Sequence, residues 1–90
     1  MLDHSYCACV LWSRSAQKAH TLVTTDPSES LDQHNRGRYM TARDRPWELL
    51  HTREFGTDSA ARTWQERLET ADREGRRFEL IGLDPEDFRP

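Results

Sequence analysis

Ser30 and His34 are the first residues in this sequence whose types and spacing suggest chemistry. They are four positions apart in a segment that we expect to be helical, so their side chains share one face of the helix. A loop that contains Arg36 and three further arginines follows directly. A histidine beside such a loop is compatible with a site that faces a phosphate group, and also with an ordinary helix end. The residues alone leave both interpretations open.

Capping residues define the limits of this helix. Asp26 can accept hydrogen bonds from the first backbone N–H groups, and Pro27 suits the first helical position. Glu29 lies where the second member of a capping box is expected. Gly37 follows the helix, where a left-handed residue commonly ends one. We therefore predict a short helix between Asp26 and Gly37.

Composition indicates one small globular domain with a lean core. Hydrophobic residues make up 34 % of the 90 positions and charged residues 32 %. The net charge of −3 argues against a generally basic nucleic-acid-binding protein. Charge is uneven, however, because residues 36–45 contain four arginines and one acid, whereas residues 79–90 contain four acids and one arginine. The basic segment is therefore the candidate for phosphate contacts.

No pattern in the sequence predicts secretion or membrane insertion. Asp3 and His4 interrupt the N-terminus, and no apolar run is long enough for a signal peptide or a membrane span. Cys7 and Cys9 are two apart on a predicted strand, so they point the same way and cannot easily bridge each other. We therefore expect a cytoplasmic protein with no membrane partner.

Three segments rich in apolar and β-branched residues are predicted strands: 6–12, 20–25 and 47–55. A polar turn joins the first two into a hairpin, and Pro46 directly precedes the third, as is tolerated at the start of a strand.

A long second helix is predicted after the third strand. Thr57 or Asp58 caps its start, and it runs to about Glu74, with a glycine past its end. Apolar residues at three- and four-residue spacing place one stripe against the sheet. These residues are Ala61, Trp64, Leu68 and Ala71. On the exposed side we expect an ion pair between Glu69 and Arg73.

The C-terminal part is less clearly patterned. Residues 78–83 are predicted to form a last strand or an extended segment over the core, and residues 84–87 a helical turn or a tail. We expect residues 1–90 to form a single domain, with a core at about 6–75 and a C-terminal extension at 76–90.

Four short motifs follow one another along the chain. They are Val10-Leu11-Trp12-Ser13 at the end of the first strand, His34-Asn35-Arg36-Gly37 at the end of the first helix, Pro46-Trp47 after a basic loop with Thr41, and Ala60, Ala61 and Leu68 in the second helix. In order and spacing they resemble the GIY-YIG nuclease superfamily in its short standalone form. The similarity covers roughly residues 6–75.

This resemblance implies an α/β (α+β) domain with a small three-stranded, mostly antiparallel sheet flanked by helices. The active-site positions of the family fall on Cys9, His20, Ser30, His34 and Gln65. Only His34 is the residue usual in the family. Cys9 and His20 replace its tyrosines, Ser30 its arginine and Gln65 its metal-binding glutamate.

These replacements remove groups that the family reaction uses. In the family, a tyrosine or an activated water works with a divalent metal to hydrolyse a phosphodiester, while the arginine stabilises the developing charge. Ser30 has no guanidinium, and Gln65 brings no negative charge to a metal. The resemblance therefore implies a catalytically degenerate domain that binds nucleic acid, DNA above all, and needs no cofactor. If the chain is instead a divergent structure-selective endonuclease, Mg²⁺ or Mn²⁺ is expected.

The expected nucleic-acid contacts lie in the loop beside the former active-site groove, since arginines contact phosphates and a tyrosine can stack on a base. These residues are Arg36, Arg38, Tyr39, Arg43 and Arg45. The alternative is a solvated loop whose arginines pair with Asp32, Asp44 or Glu48. A third hypothesis is a protein-interaction module that keeps only the scaffold and binds a partner through its acidic C-terminal segment.

Cys7, Cys9, His20 and His34 form a further combination, because thiolates and imidazoles bind Zn²⁺. Their spacing matches no standard zinc signature, and free cysteines are often small core residues. We therefore assign no metal ligands.

Overall fold

The computed structural model describes residues 5–37 and 43–88. Its elements are β1 (Tyr6–Ser13), β2 (Lys18–Thr24), α1 (Pro27–Asn35), β3 (Trp47–Phe55), α2 (Asp58–Arg73), α3 (Arg77–Leu80) and a 3₁₀ helix (Pro85–Phe88). The strand order is β2-β1-β3, and both pairs are antiparallel. The predicted α+β class with a three-stranded sheet is confirmed.

The two long helices lie on opposite faces of the sheet. Alternate residues of each strand point to opposite sides, so one strand supplies contacts to both helices. On one face, Ala8 and Val10 of β1 pack against Trp64 and Leu68 of α2. The predicted stripe of α2 is confirmed, since its four members are all buried. On the other face, His20 of β2 and neighbouring side chains contact α1.

The limits of α1 are those that its capping residues predict. The Asp26 carboxylate accepts a hydrogen bond from the Glu29 backbone N–H at 3.1 Å, and Gly37 adopts φ 84° just past the helix. The reciprocal bond of a capping box does not form. The Asp26 N–H donates to the Thr24 hydroxyl instead, and the Glu29 carboxylate accepts from Gln33.

Helix α2 begins as predicted at Thr57, whose hydroxyl accepts from the Ala60 N–H. The expected ion pair between Glu69 and Arg73 is wrong. Glu69 accepts a hydrogen bond from the Thr21 hydroxyl at 2.9 Å, because α2 crosses β2 there, and Arg73 donates to a threonine of its own helix.

The prediction of a strand or extended segment at 78–83 is also wrong, because the chain forms α3 and a turn there. A helical turn brings Phe78 and Ile81, three residues apart, to the same side of the chain. Phe78 packs edge-on against Trp12 at 5.3 Å between ring centroids, and Phe88 stacks on Phe78 at 4.8 Å. Packing against the core thus continues to Phe88, well past the predicted core boundary at residue 75.

Among residues 5–37 and 43–88, no helix combines the length and the apolar character needed to cross a membrane.

Candidate functional site

An open groove of about 640 Å³ lies between β2 and α1. Three of the five positions that the resemblance assigns to an active site, His20, Ser30 and His34, line it together. The structure does not place Cys9 or Gln65 in its lining. The site is therefore built from one strand and one helix.

His34 is 5 % exposed and has a fixed ring orientation. Its Nδ1 lies 2.8 Å from the Ser30 carbonyl oxygen. Since a carbonyl can only accept, Nδ1 carries the proton and donates it. The His20 ring lies against the His34 ring, with centroids 5.2 Å apart. The groove therefore holds two imidazoles side by side.

His20 is biased toward its neutral form. Burial lowers its pKa, the neighbouring His34 lowers it further, and the Glu69 carboxylate offsets part of this shift. A neutral imidazole attracts a phosphate more weakly than a cation does, so His20 contributes little positive charge to the groove.

Ser30 and Cys9 direct their polar atoms into the protein. The Ser30 hydroxyl donates to the Thr24 hydroxyl at 2.7 Å, which joins α1 to β2. Cys9 is 1 % exposed, and its Sγ lies 3.4 Å from the Thr52 hydroxyl of β3. Burial raises the pKa of the Cys9 thiol, so it stays protonated at neutral pH.

Gln65 lies on the other face of the sheet from His34. Its side-chain amide, 3.4 Å from the Thr21 carbonyl oxygen, donates to the outer edge of β2. Together with the bond between Thr21 and Glu69, this contact holds α2 against the edge strand. Gln65 thus has a structural role, which is to join α2 to β2.

The walls of the groove are acidic. Asp26 and Glu29 are among its lining residues, whereas no lysine or arginine is among the described residues that line it. Two carboxylates raise the cost of bringing a phosphate to the groove floor. The sequence predicted Glu29 as a capping residue, and the structure also places it in the lining of the groove.

The basic residues lie beyond the end of α1 rather than in the groove. Arg36 pairs with Asp32 at 2.9 Å, and Arg43 lies 4.0 Å from Asp44. The alternative in which these arginines pair with local acids is thus confirmed for both. Arg45 is exposed. Arg38 and Tyr39 lie outside the described residues.

Asn35 is a structural residue whose role the sequence did not indicate. Its side-chain amide donates to the Trp47 carbonyl at 3.0 Å, and its amide oxygen accepts from the Trp47 N–H at 2.6 Å. This pair of bonds imitates a strand partner at the start of β3. It fixes the end of α1, and therefore Arg36, against the sheet.

The structure gives no support for a metal centre. Within the described ranges, no three His, Cys, Asp or Glu side chains come together as metal ligands. Cys7 and Cys9 are buried free thiols, as expected of small core residues.

No family model, curated protein or solved structure matches this chain at a significant level. The functional assignment therefore rests on the site geometry and on the sequence motifs.

Proposed function

We propose that this chain is a catalytically degenerate GIY-YIG-like domain that binds nucleic acid without cleaving it. The observation that carries the proposal is that two arginines following α1 in the chain are exposed and only weakly paired. The side chains of Arg36 and Arg43 are 61 % and 82 % exposed, and each is held by a single acid at the surface. Such pairs contribute about 0–1 kcal/mol, so a phosphate can displace the acid at little cost.

We call Arg36 and Arg43 the rim. The distribution of charge favours phosphate contacts at the rim over contacts on the floor of the groove. Asp26 and Glu29 oppose a phosphate inside the groove, whereas the cations of Arg36, Arg43 and Arg45 lie outside its described lining. Arginine forks bind phosphate oxygens without reading base identity. The proposed binding is therefore independent of nucleotide sequence.

The absence of cleavage follows from where the altered active-site positions direct their polar atoms. Ser30 bonds to Thr24, Cys9 to Thr52 and Gln65 to the backbone of β2. None of them supplies a charge that could stabilise a pentavalent phosphate or hold a divalent metal. Among the five positions, only His34 has the residue type that the resemblance expects there.

Binding of a short labelled DNA duplex by fluorescence anisotropy tests the proposal. Arg36→Gln with Arg43→Gln is expected to weaken binding about tenfold and to reduce the salt slope by about 2. Arg62→Gln is a matched control, because Arg62 is also 61 % exposed and pairs with an acid four residues away. Equal losses in the rim variant and the control would contradict the proposal.

The acidic groove favours a second candidate function, recognition of a basic protein segment. Asp26→Asn with Glu29→Gln removes both lining charges while Asn still caps α1. If the second function is correct, this variant loses binding to a lysine-rich peptide and the Arg36 and Arg43 variant does not.

A further inference from the structure

Two arginines on the face of the sheet opposite the groove stack on a single indole. The Arg53 guanidinium of β3 lies 4.6 Å from the Trp64 ring centroid, and the Arg67 guanidinium of α2 lies 5.0 Å from it. Arg53 also lies over the Phe55 ring at 5.2 Å. Trp64 is itself fixed, because it is nearly buried and its Nε1–H points to His51 at 3.3 Å. We call Arg53, Trp64 and Arg67 the arginine–tryptophan cluster.

These two guanidiniums differ from most others in the described chain because they have no acidic partner. Six arginines in residues 5–37 and 43–88 pair with a carboxylate: Arg14, Arg36, Arg43, Arg62, Arg76 and Arg77. Within the same residues, neither Arg53 nor Arg67 has a carboxylate within ion-pair distance. Arg67 itself lines the groove between α2 and α3 together with Glu66, Glu74 and Glu79, and among the described residues none of these acids pairs with it.

The stacking orders both cations before any ligand arrives. A guanidinium on an aromatic face keeps its N–H edges directed outward, and it loses less side-chain entropy when it binds an anion. Both guanidiniums lie about 5 Å from one ring centre, so they are separated by no more than about 10 Å. In a chain of net charge −3, two ordered and unneutralised cations at one place point to an anionic ligand.

We propose that the arginine–tryptophan cluster is a second phosphate-contact surface, which binds the backbone of nucleic acid. A nucleic-acid strand carries a charge about every 3.4 Å, so both guanidiniums meet phosphates in any register. An acidic peptide would need its carboxylates at one particular spacing. Because both arginines cover the indole, the ring is not open for stacking on a base. The expected contacts are therefore between the guanidiniums and phosphates.

This surface is separate from the arginine that ends α1, because Arg53 and Trp64 lie on the α2 face of the sheet and Arg36 caps the helix on the opposite face. The inference does not rest on the rim contacts. One nucleic-acid duplex cannot lie flat on both faces at once, so the two surfaces hold different segments of nucleic acid.

The test measures duplex binding by the wild type and by Arg53→Gln with Arg67→Gln. We expect about a tenfold loss of affinity and a salt slope reduced by about 2. Arg73→Gln is the control, because Arg73 is exposed on the same helix as Arg67 and donates a hydrogen bond to the Thr70 hydroxyl. It should change affinity less than twofold. The variant Arg36→Gln with Arg43→Gln is measured in the same assay. Because its loss of affinity does not depend on Arg53 or Arg67, each surface can be shown to bind or not to bind without the other.

A titration of the wild-type protein followed by nuclear magnetic resonance removes the dependence on variant folding. The Nε–H signals of Arg53 and Arg67 and the indole signal of Trp64 should shift as duplex is added. Unmoved signals, or a cluster variant that binds like the wild type, would overturn the proposal. Binding of a glutamate-rich peptide with no binding of DNA would overturn it as well.

Discussion

The two faces of the sheet differ in how they contact their helices, although the same three strands form both. The α2 face is sealed by apolar packing at its centre, where Ala8, Val10 and Leu68 are almost completely buried. The α1 face is joined by hydrogen bonds between polar side chains, such as Ser30 with Thr24, and it opens into a groove. Stability should therefore depend mainly on the α2 face, and the α1 face should tolerate substitution of the groove residues more readily.

The largest expected effect follows from shortening a side chain on the sealed face. Leu68 is 2 % exposed, so Leu68→Ala should lower the free energy of unfolding by about 2–5 kcal/mol. Leu22→Ala removes the same atoms from a partly exposed groove residue and should cost about 1 kcal/mol. Urea denaturation measures both. Equal losses would break the contrast between the two faces.

Asn35 tests whether hydrogen bonds hold the open face together. Asn35→Ala leaves the Trp47 N–H and carbonyl without these partners and should lower the free energy of unfolding by about 1–3 kcal/mol. Asn35→Asp keeps the acceptor for the N–H but loses the donor, so it should lose less. If Asn35→Ala is as stable as the wild type, the two hydrogen bonds between Asn35 and the Trp47 backbone do not contribute to stability.

The smallest expected effect is a dependence of the free energy of unfolding on pH. It comes from His20 on the α1 face and His51 on the α2 face. Burial lowers the pKa of His20, and His34 adds to the shift. Burial and the nearby Arg53 lower the pKa of His51. Below the ordinary histidine value of about 6.5, the unfolded chain therefore binds more protons than the folded one. Stability should rise with pH up to about 6.5 and then level off.

Denaturation midpoints at acidic and neutral pH measure this dependence. His20→Gln should remove the contribution of the open face, and His51→Gln that of the sealed face. Stability that falls with rising pH across this range would contradict the assigned directions.

The sequence predicted the helix limits and the buried helix stripe, which depend on local chemistry. Caps at Asp26 and Thr57 and the apolar stripe of α2 depend on neighbouring residues, and the structure has all of them. Residues 78–83 were mispredicted because Phe78 and Ile81 serve contacts with distant residues such as Trp12.

The site was predictable only in part, for the same reason. The spacing of Ser30 and His34 placed them on one helix face. No local pattern indicates that Asn35 binds the Trp47 backbone or that Gln65 bonds to β2 on the far face. Nor does any local pattern bring Arg53 and Arg67 to the same indole, since they lie on different elements.

Binding without cleavage is the central claim, and one experiment measures both halves. Labelled duplex, branched and single-stranded DNA would be incubated with the protein in Mg²⁺ or Mn²⁺, at concentrations that shift the DNA fully in a gel. The proposed function predicts a complete shift with every strand intact. Cut strands that disappear with His34→Ala would contradict it and identify an active endonuclease, and no shift at all would remove nucleic acid as the ligand.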